Sequence, residues 1–493
     1  MVDKQHDQYK QAAEDWDLVR ACIEGERAVK DAGTNYLPKP NGFNAEQYQE
    51  YLTRADYFNA TGRTVDGLTG LVLRKRPLLS GSEIEAVIPL QNNATRSGKS
   101  IFDLAEETVD EVIKVGRAGL LVDYPRMDDE SGSITIAEAQ RIGLRPYVRL
   151  YPAEAIINWR MTVINGEEVL TMVVLREEHE AEGESEYDTG TSTKYRVLTL
   201  EDSESESRYY RIRLIRIEES HDLGELVRVE VVELDTVARR NGESVREIPF
   251  VFVGTVSTMP DIQKSPIIDV ARANLSHYRT SADIEWGAHK SALPTFVITG
   301  HDRDASDGPL YIGADTAMTL REPDAKAFFL EFTGAGMGVL LSLEQAKRDR
   351  MAVLGARMLE ADKRMVESAE TAMLHRQGEH ATLSSIAHTV SDAITRQLRT
   401  AALWNGATPD QVEEIELTLN TDYFPHPITS ADMLAIMRTW QEGGVTWAEL
   451  TEYLQRGEIA DPAMTPDERR EAIDTDPSRL RPIFGGGPDE GVG

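Results

Sequence analysis

Over the first 120 residues the chain keeps helical spacing. Trp16, Val19, Arg20 and Ile23 fall on one face, and Ile101, Leu104, Ala105, Val109, Val112 and Ile113 form a second amphipathic stretch. Asp103, Glu106 and Glu107 sit near the start of that stretch, where a helix dipole favours negative charge. Between the two, Pro38, Pro40 and Gly42 break the pattern. Residues 1–125 are therefore expected to be helical.

From about residue 145 the period changes to two. YVRLY, AIINW, EVLTMVVLRE, KYRVLTLE, YYRIRLIRIEE, LVRVEVVEL and IPFVFVG follow one another as strand-like runs, and Asn165-Gly166 is a pair suited to a two-residue hairpin. The expectation is an antiparallel meander over 145–255. Its connections are acidic: 15 acidic against seven basic residues lie between 175 and 225. Such runs read as solvated hairpin tips or as an acidic recognition loop.

Pro266 then opens a helical stretch in which Ile268, Ala271, Leu275, Tyr278, Ala282 and Trp286 make one apolar stripe. About 25 residues at 1.5 Å each would run ~37 Å, up to Pro294. The insert that follows is β-like (FVITG, PLYIG, AMTLRE, AFFLEF). Helical spacing returns over 340–359 and 370–404, while EADKRMVESAE, around 360–369, reads as a loop or kinked turn between them. Residues 340–404 hold nine basic and eight acidic residues, so these helices are close to neutral in a strongly acidic chain. A strand is expected in IELTLNTDYFP, then two short helices capped by Ser430 and Thr446, then a flexible tail from Asp461 onward.

Composition narrows the function more than it changes the fold. The chain has 493 residues and a formal net charge of −31, so gripping nucleic acid through a basic surface is disfavoured, whereas acidic walls around DNA are not. Cys22 is the single cysteine, which excludes intrachain disulfides and multi-cysteine metal sites. The polar start and the lack of an apolar run of about 18 residues argue against a signal peptide or a membrane span. GxxxxGK[ST], HExxH, GxSxG and CxxC are all missing. TGAGMG at 333–338 imitates a dinucleotide-binding turn, but the third glycine position falls on Val339 and no parallel βαβ pattern surrounds it. His375, Glu379, His380 and His388 read as a polar helix surface rather than a metal site. The residues thus describe an α+β chain with long helices and an inserted hairpin, without cofactor, metal or catalytic group, as expected of an assembly component.

The run SPIIDVARANLSHYRTSADIEWGAHKSALPTFVITG at 265–300 resembles a family of portal proteins of tailed bacteriophages. YFNATGRTVDGLTGLVLRKRP (57–77), VGRAGLLVDYP (115–125), YVRLYPAEAIINWR (147–160), EIPFVFVG (247–254) and FFLEFTGAG (328–336) are similar to the same family in the same order. The resemblance implies the α+β portal fold: a helical and antiparallel-β wing at 1–265, a first stem helix at 266–291 and a small α/β clip at 292–339. It further implies a second stem helix at 340–359, a tunnel loop at 360–369, a long kinked helix at 370–404, a C-terminal wing or crown region at 405–460 and a flexible tail at 461–493. Ile268, Ala271, Leu275, Tyr278, Ala282 and Trp286 become the packing stripe of the first stem helix, and charge at Leu275 or Tyr278 is expected to destroy the ring.

The implied function is a ring, expected to be dodecameric, at one capsid vertex. It would pass double-stranded DNA during packaging and ejection and serve as platform for terminase and tail. The implied partners are further copies of the chain, DNA in the channel, the terminase large subunit, major capsid and scaffolding proteins and a head–tail adaptor or tail protein, with no membrane. The place would be the virion, assembled in the host cytoplasm. Glu360, Asp362, Lys363, Arg364 and Glu367 become tunnel-loop candidates; Lys363 and Arg364 either touch phosphate transiently or pair with Glu360, Glu367 or Glu370 of a neighbour. Two other readings are a different phage head or connector protein and a nucleotide-binding enzyme built on TGAGMG.

Overall fold

The computed structural model describes residues 1–125, 144–180, 190–202, 208–222, 225–240, 242–291, 295–300, 324–330, 335–355, 369–421, 423, 430–457, 459–461 and 464–476. The N-terminal region is a helical layer: α1 (Asp7–Glu24), α2 (Glu26–Asp31), α3 (Ala45–Arg54), α4 (Ala60–Val72), the short strand β1 (Leu78–Ser80), α5 (Ile88–Asn92) and α6 (Ile101–Val115). A capping box between Ser100 and Asp103 starts α6, and Gly116, with φ of +75°, stops it. Every residue of the expected α6 stripe is buried, as are Trp16 and Val19 on α1. Arg20 is half-buried and clamps Glu111 (2.5 Å) and Glu154 (2.6 Å), so a position at apolar spacing serves as an ionic tie.

The helical expectation for 1–125 needs correction at its end. Arg117–Asp123 is a strand, β2, and all but its last residue are buried. A strand covered on both faces loses the alternation that marks strands in a sequence, and RAGLLVD shows none. The meander is corrected too. β3 (Tyr147–Pro152) pairs with β2, while β4 (Ile156–Ile164), β5 (Glu167–Glu180), β6 (Thr191–Glu201), β7 (Tyr209–Asp222) and β8 (Glu225–Val237) form a separate five-stranded antiparallel sheet. After the two-residue strands β9 (Arg239–Arg240) and β10 (Glu243–Ser244), β11 (Phe250–Gly254) returns to the far edge of β2, giving a three-stranded sheet in the order β11-β2-β3. At the β4–β5 hairpin, Asn165 and Gly166 have φ of +55° and +89°, the left-handed pair that a tight two-residue turn requires.

The two sheets meet around Gly119. A Cβ there would collide with Phe250 and Ile156, so only glycine lets β2 approach them. Beside this contact Glu177 of β5 is fully buried and accepts from Arg149 (3.0 Å) and Tyr151 of β3 and from Arg196 of β6 (2.8 Å). Burial alone would raise its pKa; the facing guanidiniums, Arg196 foremost, hold it at about 2.

The remaining elements are α7 (Ile268–Ser291), β12 (Thr295–Thr299), β13 (Lys326–Leu330), α8 (Ala335–Leu354), α9 (Ala369–Trp404), α10 (Pro409–Glu413), β14 (Glu416–Thr418), α11 (Ser430–Gln441), α12 (Trp447–Arg456) and α13 (Pro466–Thr475). The C-terminal half of α9 runs through the main core, with Ile386, Val390, Ile394 and Leu398 buried. Among the described residues of 415–425, the expected strand is confined to β14. One edge of β14 pairs with β1, and its surroundings on the other side are side chains of α9: Thr395 Oγ1 accepts from Leu417 N (2.9 Å), Ser391 Oγ accepts from Leu419 N (3.0 Å) and Arg399 Nε donates to Ile415 O (2.9 Å). Three residues one turn apart thus stand in for a neighbouring strand.

Thr446 caps α12 as expected, whereas Ser430 is already the first residue of α11. The tail expectation is corrected by α13, which opens with a capping box between Thr465 and Glu468 and accepts a hydrogen bond from Trp447 Nε1 at Pro466 O (2.7 Å). Helices α11 and α12 share a small apolar cluster of their own around Leu450, Leu454 and Ala460.

Candidate functional site: a helical hairpin

The element with the clearest shape is the antiparallel pair α7–α8, linked at its far end by the two-stranded ribbon β12–β13. At 1.5 Å per residue its helices run about 36 Å and about 30 Å. Pro266 lies just ahead of α7, and Ser265 fixes that start, donating from Oγ to Lys114 O (2.7 Å) and accepting from Ile267 N (3.3 Å). The second helix begins at Ala335 rather than 340 and is described to Leu354, because Gly336 and Gly338 are accommodated in its first turns.

The expected stripe on α7 is buried inside the chain. Ile268, Ala271, Leu275, Tyr278 and Ala282 all belong to the main core, packed among α1, α3 and α4, and Tyr278 meets Tyr57 edge to face at 5.8 Å. Trp286 is partly buried beside Phe43 (5.0 Å) and Tyr51 (5.9 Å), with Lys290 over its ring. Burial extends beyond the stripe to Asn274, His277, Thr280 and Ser281, so from Val270 to Ala282 the helix is enclosed nearly all round. Sequence reasoning passed over these polar positions. For Asn274 and His277 a signal exists in the charge-free run between Arg272 and Arg279 on a helix otherwise rich in charge.

Glycines let the two helices close at both ends. A Cβ on Gly287 would sit 2.9 Å from Met337 Cε, and one on Gly355 would sit 2.9 Å from Thr64 Cγ2 and 3.1 Å from Val270 Cγ2. Between them the contact is polar. Lys347 Nζ donates to Ser276 O (2.9 Å) and Thr280 Oγ1 (2.6 Å), and Arg348 Nε donates to His277 Nε2 (3.2 Å). Burial lowers the pKa of both Lys347 and His277. Met351, with 2 % exposure, is the one fully buried apolar side chain on α8 among its described residues.

The outward side of α8 carries apolar side chains too. Val339 (69 % exposed), Leu343 (45 %) and Val353 (51 %) line one side of α8 with Ala346, about a third of a turn from Glu344, Lys347 and Met351, and Leu341 (49 %) is exposed on another side. A surface helix of a self-contained chain turns its apolar stripe inward. On α8 Met351 and Leu354 pack inward while Val339, Leu341, Leu343 and Val353 face outward.

The tunnel-loop candidates Glu360, Asp362, Lys363, Arg364 and Glu367 lie outside the described residues, as do the side chains of His375, Glu379 and His380. The nucleotide reading of TGAGMG finds no support in its surroundings: β13 pairs antiparallel with β12, and Gly336 and Gly338 are helical. A cleft of about 800 Å³ between α4 and α6 is walled by Asp66, Asp103, Glu106, Glu107 and Asp110, with Lys99 paired to Glu107. Among the described residues no group of three or more histidine, cysteine or acidic side chains could hold a metal ion, and no helix is long and apolar enough to cross a membrane.

Residues 266–405 match a family described as "Domain of unknown function (DUF4055)", a segment that begins just before α7 and ends just after α9. No curated protein matches the chain. Among solved structures, a chain in the virion of a native gene transfer agent (GTA) particle is similar over 87% of this chain and 98% of its own length, at 14% identity and a TM-score of 0.37. A chain from the neck of an empty GTA particle, computed with C6 symmetry, is similar over 88% and 99%, at 13% identity and a TM-score of 0.38. A chain from the neck of a native GTA particle, computed with C12 symmetry, is similar over 86% and 98%, at 13% identity and a TM-score of 0.39.

Proposed function

We propose that this chain is a portal-type subunit of a tailed-phage-like head: a structural protein without catalytic activity that closes into a ring around a DNA channel. The observation that carries the reading is the outward side of α8, a helix that ties itself to α7 partly by polar contacts and leaves Val339, Leu343 and Val353 exposed. An apolar stripe of this kind is covered when the hairpin of a neighbouring copy packs against it, and a head-to-tail contact repeated by rotation closes a ring. The resemblance of 265–300 and of the shorter segments to portal proteins supplies the rest: twelve copies, a clip-side platform at β12–β13 for terminase and adaptor, and capsid or scaffolding contacts on the wing.

The charge pattern agrees with passage of DNA. At −31 per subunit the walls repel phosphate rather than bind it, and binding strength toward DNA rises with each neutralised phosphate. Lys363 and Arg364 remain the proposed transient phosphate contacts, with ion pairs to Glu360, Glu367 or Glu370 of a neighbour as the other role. Reversing both to glutamate is expected to leave rings intact and to lower DNA retention; full packaging by such particles removes the role.

Native mass spectrometry of the purified chain, with electron micrographs of the same sample, tests the ring. The expected result is a closed assembly with an axial hole, lost when Val339→Asp and Leu343→Asp are combined while each subunit stays folded. A compact small oligomer without a hole, or a ring indifferent to those two changes, overturns the reading.

A further inference from the structure

The α7–α8 contact holds a histidine that ring closure does not require. His277, 1 % exposed, lies between the helices with its Nε2 3.2 Å from Arg348 Nε and 3.3 Å from Glu344 Oε1. Arg348 Nη2 also reaches Glu344 (2.7 Å). Accepting from Arg348 requires Nε2 to be bare and the proton to sit on Nδ1, and Nδ1 is buried without a partner among the described residues. One ring nitrogen therefore faces a cation and a carboxylate at nearly equal distance, and its protonation decides between them.

We propose that His277 is a proton-operated latch between α7 and α8. Neutral, it accepts from Arg348 and closes the contact. Protonated at Nε2, it donates to Glu344 instead, and Arg348 loses its acceptor on α7 and is expelled toward solvent. Three cations, His277, Lys347 and Arg348, then face Glu344 on α8 and the more distant Asp56 ahead of α4. With Met351 the one fully buried apolar anchor among the described residues of α8, the helix depends on these polar ties and loosens when they rearrange.

The direction with pH follows from the surroundings. Burial favours the neutral imidazole most, Arg348 and Lys347 add to it, and Glu344 and Asp56 oppose it, so the folded pKa lies below the ordinary 6.5. The closed latch contributes fully above about pH 6.5, and the contribution is lost as pH falls toward the folded value.

Amide hydrogen exchange of the full chain, at about pH 7.5 and about pH 5.5 and corrected for the chemical exchange rate, reads the latch over residues 335–355. In the wild type, exchange in α8 is expected to quicken by about tenfold at the lower pH while α6 stays unchanged. His277→Gln, which cannot titrate, should show a flat response, and Arg348→Gln, at a half-exposed position that tolerates the change, should blunt it. An α8 that exchanges equally at both pH values, or the wild-type response persisting in both variants, overturns the proposal. Native mass spectra at each pH report ring closure separately, so failure of the ring reading leaves the exchange result intact.

Discussion

Asn274, in the second turn of α7, caps the start of α4 from across the core: its Oδ1 accepts from Thr61 N (3.1 Å), Thr61 Oγ1 (3.1 Å) and Ala60 N (3.0 Å), while its Nδ2 donates to Phe58 O (3.0 Å). Asn274 and Thr61 are fully buried, so no water can replace a lost partner there. Asn274→Ala is expected to cost on the order of 3 kcal/mol, because several buried groups lose their partner at once. Urea unfolding measures it; a midpoint equal to wild type would show that α4 is held by its own cap, Asn59, alone.

Glu177 links stability to acid. Its carboxylate is held at about 2 against an ordinary 4.5, so the stabilisation is present above about pH 4.5 and disappears as pH falls toward 2. The shift corresponds to about 3 kcal/mol. Unfolding midpoints across that window should decline in the wild type and stay flatter in Glu177→Gln, which starts lower because Arg196 and Arg149 face a neutral amide. Parallel pH curves for the two proteins would remove Glu177 as the source.

At Gly119 the test is steric. The space a methyl group would need is taken by Phe250 and Ile156, so Gly119→Ala should destabilise by about 1–3 kcal/mol through displacement of β11 from β2. Differential scanning calorimetry should show a lower Tm, and a further change of Phe250→Leu should recover part of it. Unchanged melting would mean that the two sheets are free to separate there.

Charge on the two hairpin helices should act at different levels. Leu275 and Tyr278 are buried within the chain, so Leu275→Asp or Tyr278→Asp is expected to abolish soluble folded subunit, an unpaired buried charge costing several kcal/mol. Leu343 is exposed, and Leu343→Asp should leave subunit stability within about 0.5 kcal/mol while weakening association. Circular dichroism melts set beside native mass spectra separate the two outcomes. Folded monomers of Leu275→Asp would contradict the intrachain packing of α7.

Much of the helical framework is legible in the residues themselves. Helical spacing marks the buried face of α6, Thr446 marks the start of α12, and Asn165-Gly166 marks a hairpin, because each is a signal spread over a few neighbours. The stripe from Ile268 to Ala282 is equally plain as a buried face. What lies against that face is not in the pattern: the expected stem seam proves to be core against α1, α3 and α4 of the same chain.

Local signals in the residues were enough to locate most of the helices and the buried faces of α6 and α7, since periodicity and turn residues act over a few neighbours. Tertiary structure alone decided that Arg117–Asp123 is a central strand, that β11 leaves the meander to pair with it, and that His277 and Asn274 lie inside. It also decided that α8 turns Val339 and Leu343 outward. Each of these depends on a partner far along the chain, and a period states that a face needs covering without stating what covers it.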